Sequence, residues 1–268
     1  MSSPPTYFHP NTLLQWLSFM PRLETLIVFA ISNLHVEMQL AHPPVTTPVT
    51  LPNFHHFWFQ GGSSYMEALV HRITPFPEKL EVCFSNESSF SFPRLMQFIN
   101  TAENLKFGGV RFKFSEWRVS VGVYPHGEAK MCALSTTVID WDLDWQASSM
   151  AQISNSFNQI FSVVERLSLE FDGDDSWSSN EHEYNGFGRI EWHRLLNSFS
   201  NVKTLRIDNG FVKGVSRCLE LDYGDLSLWL LPELQELAYS WSGKPDDAFT
   251  SFIDARQNAG RPVTLTRY

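Results

Sequence analysis

Apolar side chains recur along this chain in two alternating rhythms. Stretches with helical spacing give way to a Pro or Ser and then to a short Leu-x-Leu run of period two, and the phrase returns many times. Its clearest copies are Met20-Pro21-Arg22-Leu23-Glu24-Thr25-Leu26-Ile27-Val28, Phe199-Ser200-Asn201-Val202-Lys203-Thr204-Leu205-Arg206-Ile207 and Leu231-Pro232-Glu233-Leu234-Gln235-Glu236-Leu237-Ala238-Tyr239, with a fourth from Phe161 to Leu169. Degenerate copies occupy Leu51 to Phe59, Phe76 to Phe84 and Thr101 to Phe107, and further strands are predicted from Met131 to Asp140 and from Val263 to Arg267. With Leu26, Phe57, Leu80, Leu105, Leu134, Leu167, Leu205, Leu237 and Leu265 as equivalent anchors, successive spacings run from 23 to 38 residues.

Alternation along a strand sends Leu205 and Ile207 to a core and leaves Thr204, Arg206 and Asp208 outside. One such unit cannot bury its own apolar face, whereas stacked neighbours share a continuous core under a parallel sheet. The prediction is therefore an α/β fold: an irregular leucine-rich-repeat solenoid with a parallel β ladder and outer helices, one domain over residues 1–268. Helices are predicted at Thr12 to Phe19, Ser64 to Ile73, Arg94 to Asn100, Ser148 to Phe161, Ile190 to Asn197 and Asp246 to Asn258. In the fourth, Met150, Ile153, Phe157, Ile160 and Phe161 keep helical spacing, and Ser148 or Ser149 is the expected N-cap. The asparagine that usually follows such strands is missing, with Ile31, Ser85, Val110, Asp172, Gly210 and Ser242 in its places. Between two anchors, Val110 to Phe114 and Trp117 to Val123 alternate with period two around Ser115-Glu116, so a β-hairpin over about residues 110–124 is expected where a helix would otherwise sit.

The phrases Leu13-Leu14-Gln15-Trp16-Leu17, Phe199 to Leu205 and Ala248-Phe249-Thr250-Ser251-Phe252-Ile253-Asp254-Ala255-Arg256 make nearly the whole chain resemble the leucine-rich C-terminal region of F-box-like proteins of basidiomycete fungi. Such proteins carry an F-box helical segment that docks a cullin-type ubiquitin ligase, while the repeats select the substrate. Pro10 to Phe19 is too short for that segment. The resemblance thus implies the recognition half, without a docked ligase adaptor subunit, and it supplies no catalytic residues. A truncated family member with no dedicated partner is a second expectation, which an exposed apolar N-terminal edge would mark.

Composition agrees with a folded body: 43% of residues are apolar and 18% charged. The net charge of -9 repels phosphate backbones, and no basic run offsets it, so a nucleic-acid partner is not expected. Cys83, Cys132 and Cys218 lie far apart, which fits reduced thiols in the cytoplasm or nucleus better than a disulfide or zinc framework. The first residues lack a secretory signal pattern, no apolar run is long enough to span a bilayer, and the sequon Asn86-Glu87-Ser88 is read as a surface triplet.

Candidate chemistry is thin. In the acidic loop of about residues 172–188, Asp172, Asp174, Ser176 and Glu183 follow a calcium-loop count, but Trp177 stands where that loop needs glycine, so a solvated loop is expected. His55 and His56 point to opposite faces of a strand, and Glu181-His182-Glu183 has no HExxH spacing to His193, so no metal or other cofactor is expected. Gly214-Val215-Ser216-Arg217 lacks the closing glycine of a nucleophile elbow, and Gly61-Gly62 is a turn rather than a phosphate loop. No catalytic residue is assigned. A hydrolase with a dispersed site is the remaining alternative, marked by a deep pocket of titratable groups. Trp141-Asp142-Leu143-Asp144-Trp145 alternates with period two, placing both tryptophans on one face that packs inward. The expected function is protein binding through the outward ladder residues Thr25, Trp58, Glu81, Arg166, Ser168, Thr204, Arg206, Asp208 and Glu236.

Overall fold

A computed structural model describes residues 9–30, 48–85, 90–100, 107–125, 133–139, 143–172, 189–219, 230–240 and 248–268. Its strands are β1 (Thr25–Ala30), β2 (Val49–Thr50), β3 (His56–Gly61), β4 (Ile73–Thr74), β5 (Lys79–Ser85), β6 (Phe107–Ser115), β7 (Arg118–Pro125), β8 (Leu134–Ile139), β9 (Arg166–Phe171), β10 (Thr204–Ile207), β11 (Glu236–Tyr239) and β12 (Thr264–Arg267). Among the described residues the helices are α1 (Pro10–Leu17), α2 (Ser63–Val70), α3 (Pro93–Asn100), α4 (Leu143–Ser156), α5 (Asn158–Phe161), α6 (Arg189–Leu196), α7 (Asn209–Leu219) and α8 (Thr250–Asn258). The fold is α/β, and none of these helices is long and apolar enough to cross a membrane.

Ten strands form one sheet in the order β1-β3-β5-β8-β7-β6-β9-β10-β11-β12, while β2 and β4 make a separate parallel pair. Every pairing in the large sheet is parallel except those of β7 with β6 and with β8. The register shows why the apolar phrase repeats. One continuous row of cross-strand partners runs Leu26, Phe57, Leu80, Leu134, Val123, Val110, Leu167, Leu205, Leu237, Leu265. Eight of the expected anchors fall in this row. Leu105 lies outside the described residues, and Val110 holds the corresponding place in β6.

The same turn leads into several strands: Leu23, Phe54, Val164 and Leu234 each donate a backbone N–H to the carbonyl three residues earlier. It brings each chain segment onto the sheet in the same position, so that the next apolar residue enters the row. The Pro or Ser of the repeated phrase sits inside it, as expected of turn residues.

The expected hairpin forms, with β6 and β7 joined across Glu116-Trp117, and it rearranges the centre of the sheet. From β5 the chain passes over two places to lay down β6, doubles back as β7, and returns beside β5 as β8. The inserted antiparallel strand lets β6 and β8 both keep the common direction.

The core beneath this reversal is aromatic. Phe84 stacks on Phe92 (5.1 Å between ring centres), Phe92 on Phe157 (5.7 Å), Phe157 on Phe161 (6.0 Å) and Phe161 on Phe199 (5.0 Å), while Phe112 meets both Phe161 (6.2 Å) and Phe199 (6.1 Å). Rings at these offset and edge geometries add to the burial of their area. Two buried polar groups hold chain ends. The Glu67 carboxylate of α2 accepts the Arg94 and Leu95 N–H groups, both at 2.8 Å, and so caps the first turn of α3 from a neighbouring helix. Arg256 of α8, almost fully buried, donates to the Pro232 and Leu234 carbonyls at 3.1 and 3.0 Å, tying that helix to the turn before β11.

Three sequence expectations change. The stretch beginning at Leu143 is the first turn of α4 rather than part of a strand, and Trp141 and Asp142 lie outside the described residues. Ser149 is buried and lies within that helix instead of capping it, and Ser148, which is exposed, is also past its first turn. A helix absent from the expectation, α7, follows β10 directly. The asparagine sequon, Cys132 and residues 173–188 of the acidic loop lie outside the described residues.

Candidate functional site

Burial alternates along the strands as the sequence requires: eBeBeB in β1, iBiBiB in β3 and iBeB in β10, where B is buried, i half-buried and e exposed. All nine nominated residues lie on the outward side, half-buried or exposed. The middle outward row passes from Ile27 through Trp58, Glu81, Arg111, Ser168 and Arg206. The nominated residues separate into two groups along it. Thr25, Trp58 and Glu81 lie toward β1, and Arg166, Ser168, Thr204, Arg206, Asp208 and Glu236 gather on β9, β10 and β11.

Toward β1 the face is apolar. Ile27 and Phe29 are 57% and 63% exposed, and Phe29 meets Trp58 with ring centres 4.7 Å apart. Beyond that pair, Glu81 pairs with Lys79 and sits 3.3 Å from His56 Nε2. His55 faces a different carboxylate, Glu78 at 3.4 Å. Cys83 is half-buried, and burial pushes its thiol up from the ordinary value, opposed by the charge of Arg118. It is therefore a weak nucleophile.

The centre of the face is ionic. The Arg111 guanidinium lies 2.9 Å from Glu170 and 5.0 Å from the centre of the Tyr124 ring; Lys113 reaches the same carboxylate at 3.9 Å, and Ser168 donates to it at 3.0 Å. Arg118 is 3.6 Å from Asp172, the one member of the calcium-loop count that is described. On β10, Arg206 stacks on Tyr268 at 4.0 Å, and the Tyr268 hydroxyl donates to Asp208 Oδ1 at 2.9 Å. Its hydrogen bond with Tyr268 and the nearby carboxylates raise the Arg206 guanidinium above its ordinary value. Burial and the Asp208 charge raise the Tyr268 phenol. Both groups therefore hold their neutral-pH charge states. Asp208 also accepts the Phe171 N–H at 3.2 Å, joining the ends of β9 and β10.

These strands leave a groove of about 260 Å³, lined by Gly109, Arg111, Tyr124, Arg166, Thr204 and Arg206, with Ser168 and Glu170 at its side. Gly109 contributes no side chain, and neither does Gly122, the partner of Arg111 on β7. The groove is charged: its titratable side chains are three arginines, one glutamate and one tyrosine. Among the described residues no group of three His, Cys, Asp or Glu could hold a metal ion.

Sequence reasoning missed Arg111, Lys113, Glu170 and Tyr268. Arg111 and Lys113 were legible, because Phe112 and Phe114 must face inward and the residues between them outward. Glu170 follows Ser168 at the same period. Tyr268 carried no such signal, since its role depends on reaching past β11 to β10. Comparison with protein-family models and with curated proteins finds no match for this chain.

Proposed function

We propose that this chain is an irregular leucine-rich-repeat solenoid that acts as a non-catalytic protein-binding module in the cytoplasm or nucleus, holding its partner on the outward face of the large sheet. The observation that supports this reading is a single cross-strand row uniting ten strands, with its outward neighbours combining an exposed aromatic end and a charged centre. Aromatic and arginine side chains on one surface are what protein interfaces use as anchors. In the setting implied by the resemblance to F-box-like proteins, the module would select a substrate for ubiquitin ligation.

The test is affinity purification with the intact chain and with Arg166→Glu, Arg206→Glu and Trp58→Ala. These side chains are exposed or half-buried, and circular dichroism checks that each variant folds. The expected result is loss of the same co-purifying proteins from all three. Unchanged recovery removes the face from consideration. Absence of ligase subunits from every recovery removes the ubiquitin role while leaving the binding role.

A further inference from the structure

The groove on β6, β9 and β10 has a charge opposite to that of the molecule. Overall the chain carries a net charge of -9, yet the groove brings three guanidinium groups together against one carboxylate. The arginines come from three strands, Arg111 of β6, Arg166 of β9 and Arg206 of β10, which is why no basic run was visible along the chain. Their situations differ. Arg111 is engaged by Glu170, and Arg206 is stacked on Tyr268 beside Asp208. Arg166 is exposed and, among the described residues, has no ion-pair partner. It stands between Gly109 and Thr204 in the cross-strand register, and its side chain lies over Gly109, where an added Cβ would stand 4.0 Å from Arg166 Nε. A Cβ added at Gly109 would lie 3.6 Å from the Arg166 carbonyl oxygen, an ordinary contact, so backbone crowding does not impose the glycine.

From this arrangement we propose that the groove receives a carboxylate side chain from an extended acidic segment of the partner, with Arg166 as its principal ligand and Gly109 as the floor over which that arginine lies. This rests on the protein-binding reading above. An exposed arginine fork matches a planar carboxylate in two parallel hydrogen bonds, and the flanking Arg111 and Arg206 add field without having to leave their own partners. Glu170 limits the ligand. Its charge, fixed beside Arg111, together with the negative field of the whole chain, disfavours a long polyanion and admits one or two carboxylates.

The experiment measures binding of a short fluorescent extended peptide in which two Glu residues alternate with Ser, beside its isosteric Gln counterpart and a single-stranded oligonucleotide of similar length. The Glu peptide binds the intact chain, the Gln peptide binds at least about tenfold more weakly, and affinity falls as salt rises. Arg166→Glu lowers affinity for the Glu peptide by about tenfold or more. Gly109→Leu, which fills the floor without changing charge, does the same, and circular dichroism confirms that both variants fold. Equal binding of Glu and Gln peptides overturns the proposal, as does an oligonucleotide binding more tightly than either peptide. If the Glu peptide fails to bind while Arg166→Glu still abolishes recovery of the cellular partner, the carboxylate chemistry is wrong and the binding face stands. If both fail, neither reading survives.

Discussion

Gly214 shows how one atom can invert an ordinary expectation. Replacing a helical glycine with alanine normally stabilises by about 1 kcal/mol. At Gly214 of α7, however, an added Cβ would lie 2.8 Å from Nε1 of Trp192, a ring almost completely buried in α6. A rigid indole cannot yield by that much without moving the helix, so Gly214→Ala is expected to destabilise by about 1–3 kcal/mol in chemical denaturation. A gain in stability would show that α6 and α7 repack freely. The same glycine explains why α7 was not foreseen. Phe211, Val212, Val215, Cys218 and Leu219 have helical spacing and are all buried, but Gly210 and Gly214 within the run resemble a loop. His71 supplies a pH dependence at this scale. Its Nδ1 lies 3.1 Å from the Glu67 carbonyl, and its Nε2 accepts a hydrogen bond from Arg72 at 2.9 Å, a pattern that only the neutral ring satisfies. Burial first, then the charges of Arg94 and Arg72, lower its pKa below the ordinary 6.5. The unfolded chain therefore binds the proton more readily, and the stability contributed by neutral His71 is complete above 6.5 and lost as pH falls through the lower folded value. Denaturation midpoints are expected to drop on acidification through this window, and to drop less in His71→Gln; identical pH profiles would rule out this contribution.

Individual strands were the most readable elements, because a two-residue period and a preceding turn are local properties. Their order was not. Nothing near Phe107 to Pro125 states that β6 pairs with β9 rather than β5, since that choice depends on partners some 50 or more residues along the chain, as in the register of Val110 with Leu167. The strand reading of Leu143 to Trp145 failed for a different reason, while Trp141 and Asp142 lie outside the described residues. Period two over five residues is too short a sample to outweigh the helix that follows it, and α4 takes Leu143 onward. Of the candidate face, the outward residues could be read strand by strand, while the groove could not, because it exists only where β6, β7, β9 and β10 meet. Strand position also sets local stability. β12 lies at one edge, its residues are exposed throughout, and it pairs only with β11, whereas β9 is flanked by β6 and β10. Amide hydrogen exchange is expected to be fastest in Thr264–Arg267 and slowest in β9 and β10, and Tyr268→Ala should speed exchange in β12 by removing the bond to Asp208. Uniform protection across the sheet would contradict this order.

For the molecule as a whole, one aromatic core serves strands that enter the sheet out of sequence. Phe84 of β5, Phe112 of β6 and Phe161 of α5 belong to the same chain of ring contacts through Phe92 and Phe157. The outward surface divides differently, into an apolar end at β1 and an ionic centre at β6, β9 and β10. The inside is thus shared along the whole sheet, while the outside distinguishes one end from the other.

The doubling back at β6, β7 and β8 also matters while the chain is being synthesised. When the ribosome has released everything through Pro125, strands β5 and β7 are present but the place between them belongs to β8, which has not yet emerged. Until β8 arrives its slot is unfilled, and the edges of β5 and β7 that will flank it both present unpaired backbone. A strand from another molecule could enter that slot before β8 does, making the short interval between the emergence of Pro125 and Leu134 the moment at which this protein is most open to swapping strands with its neighbours.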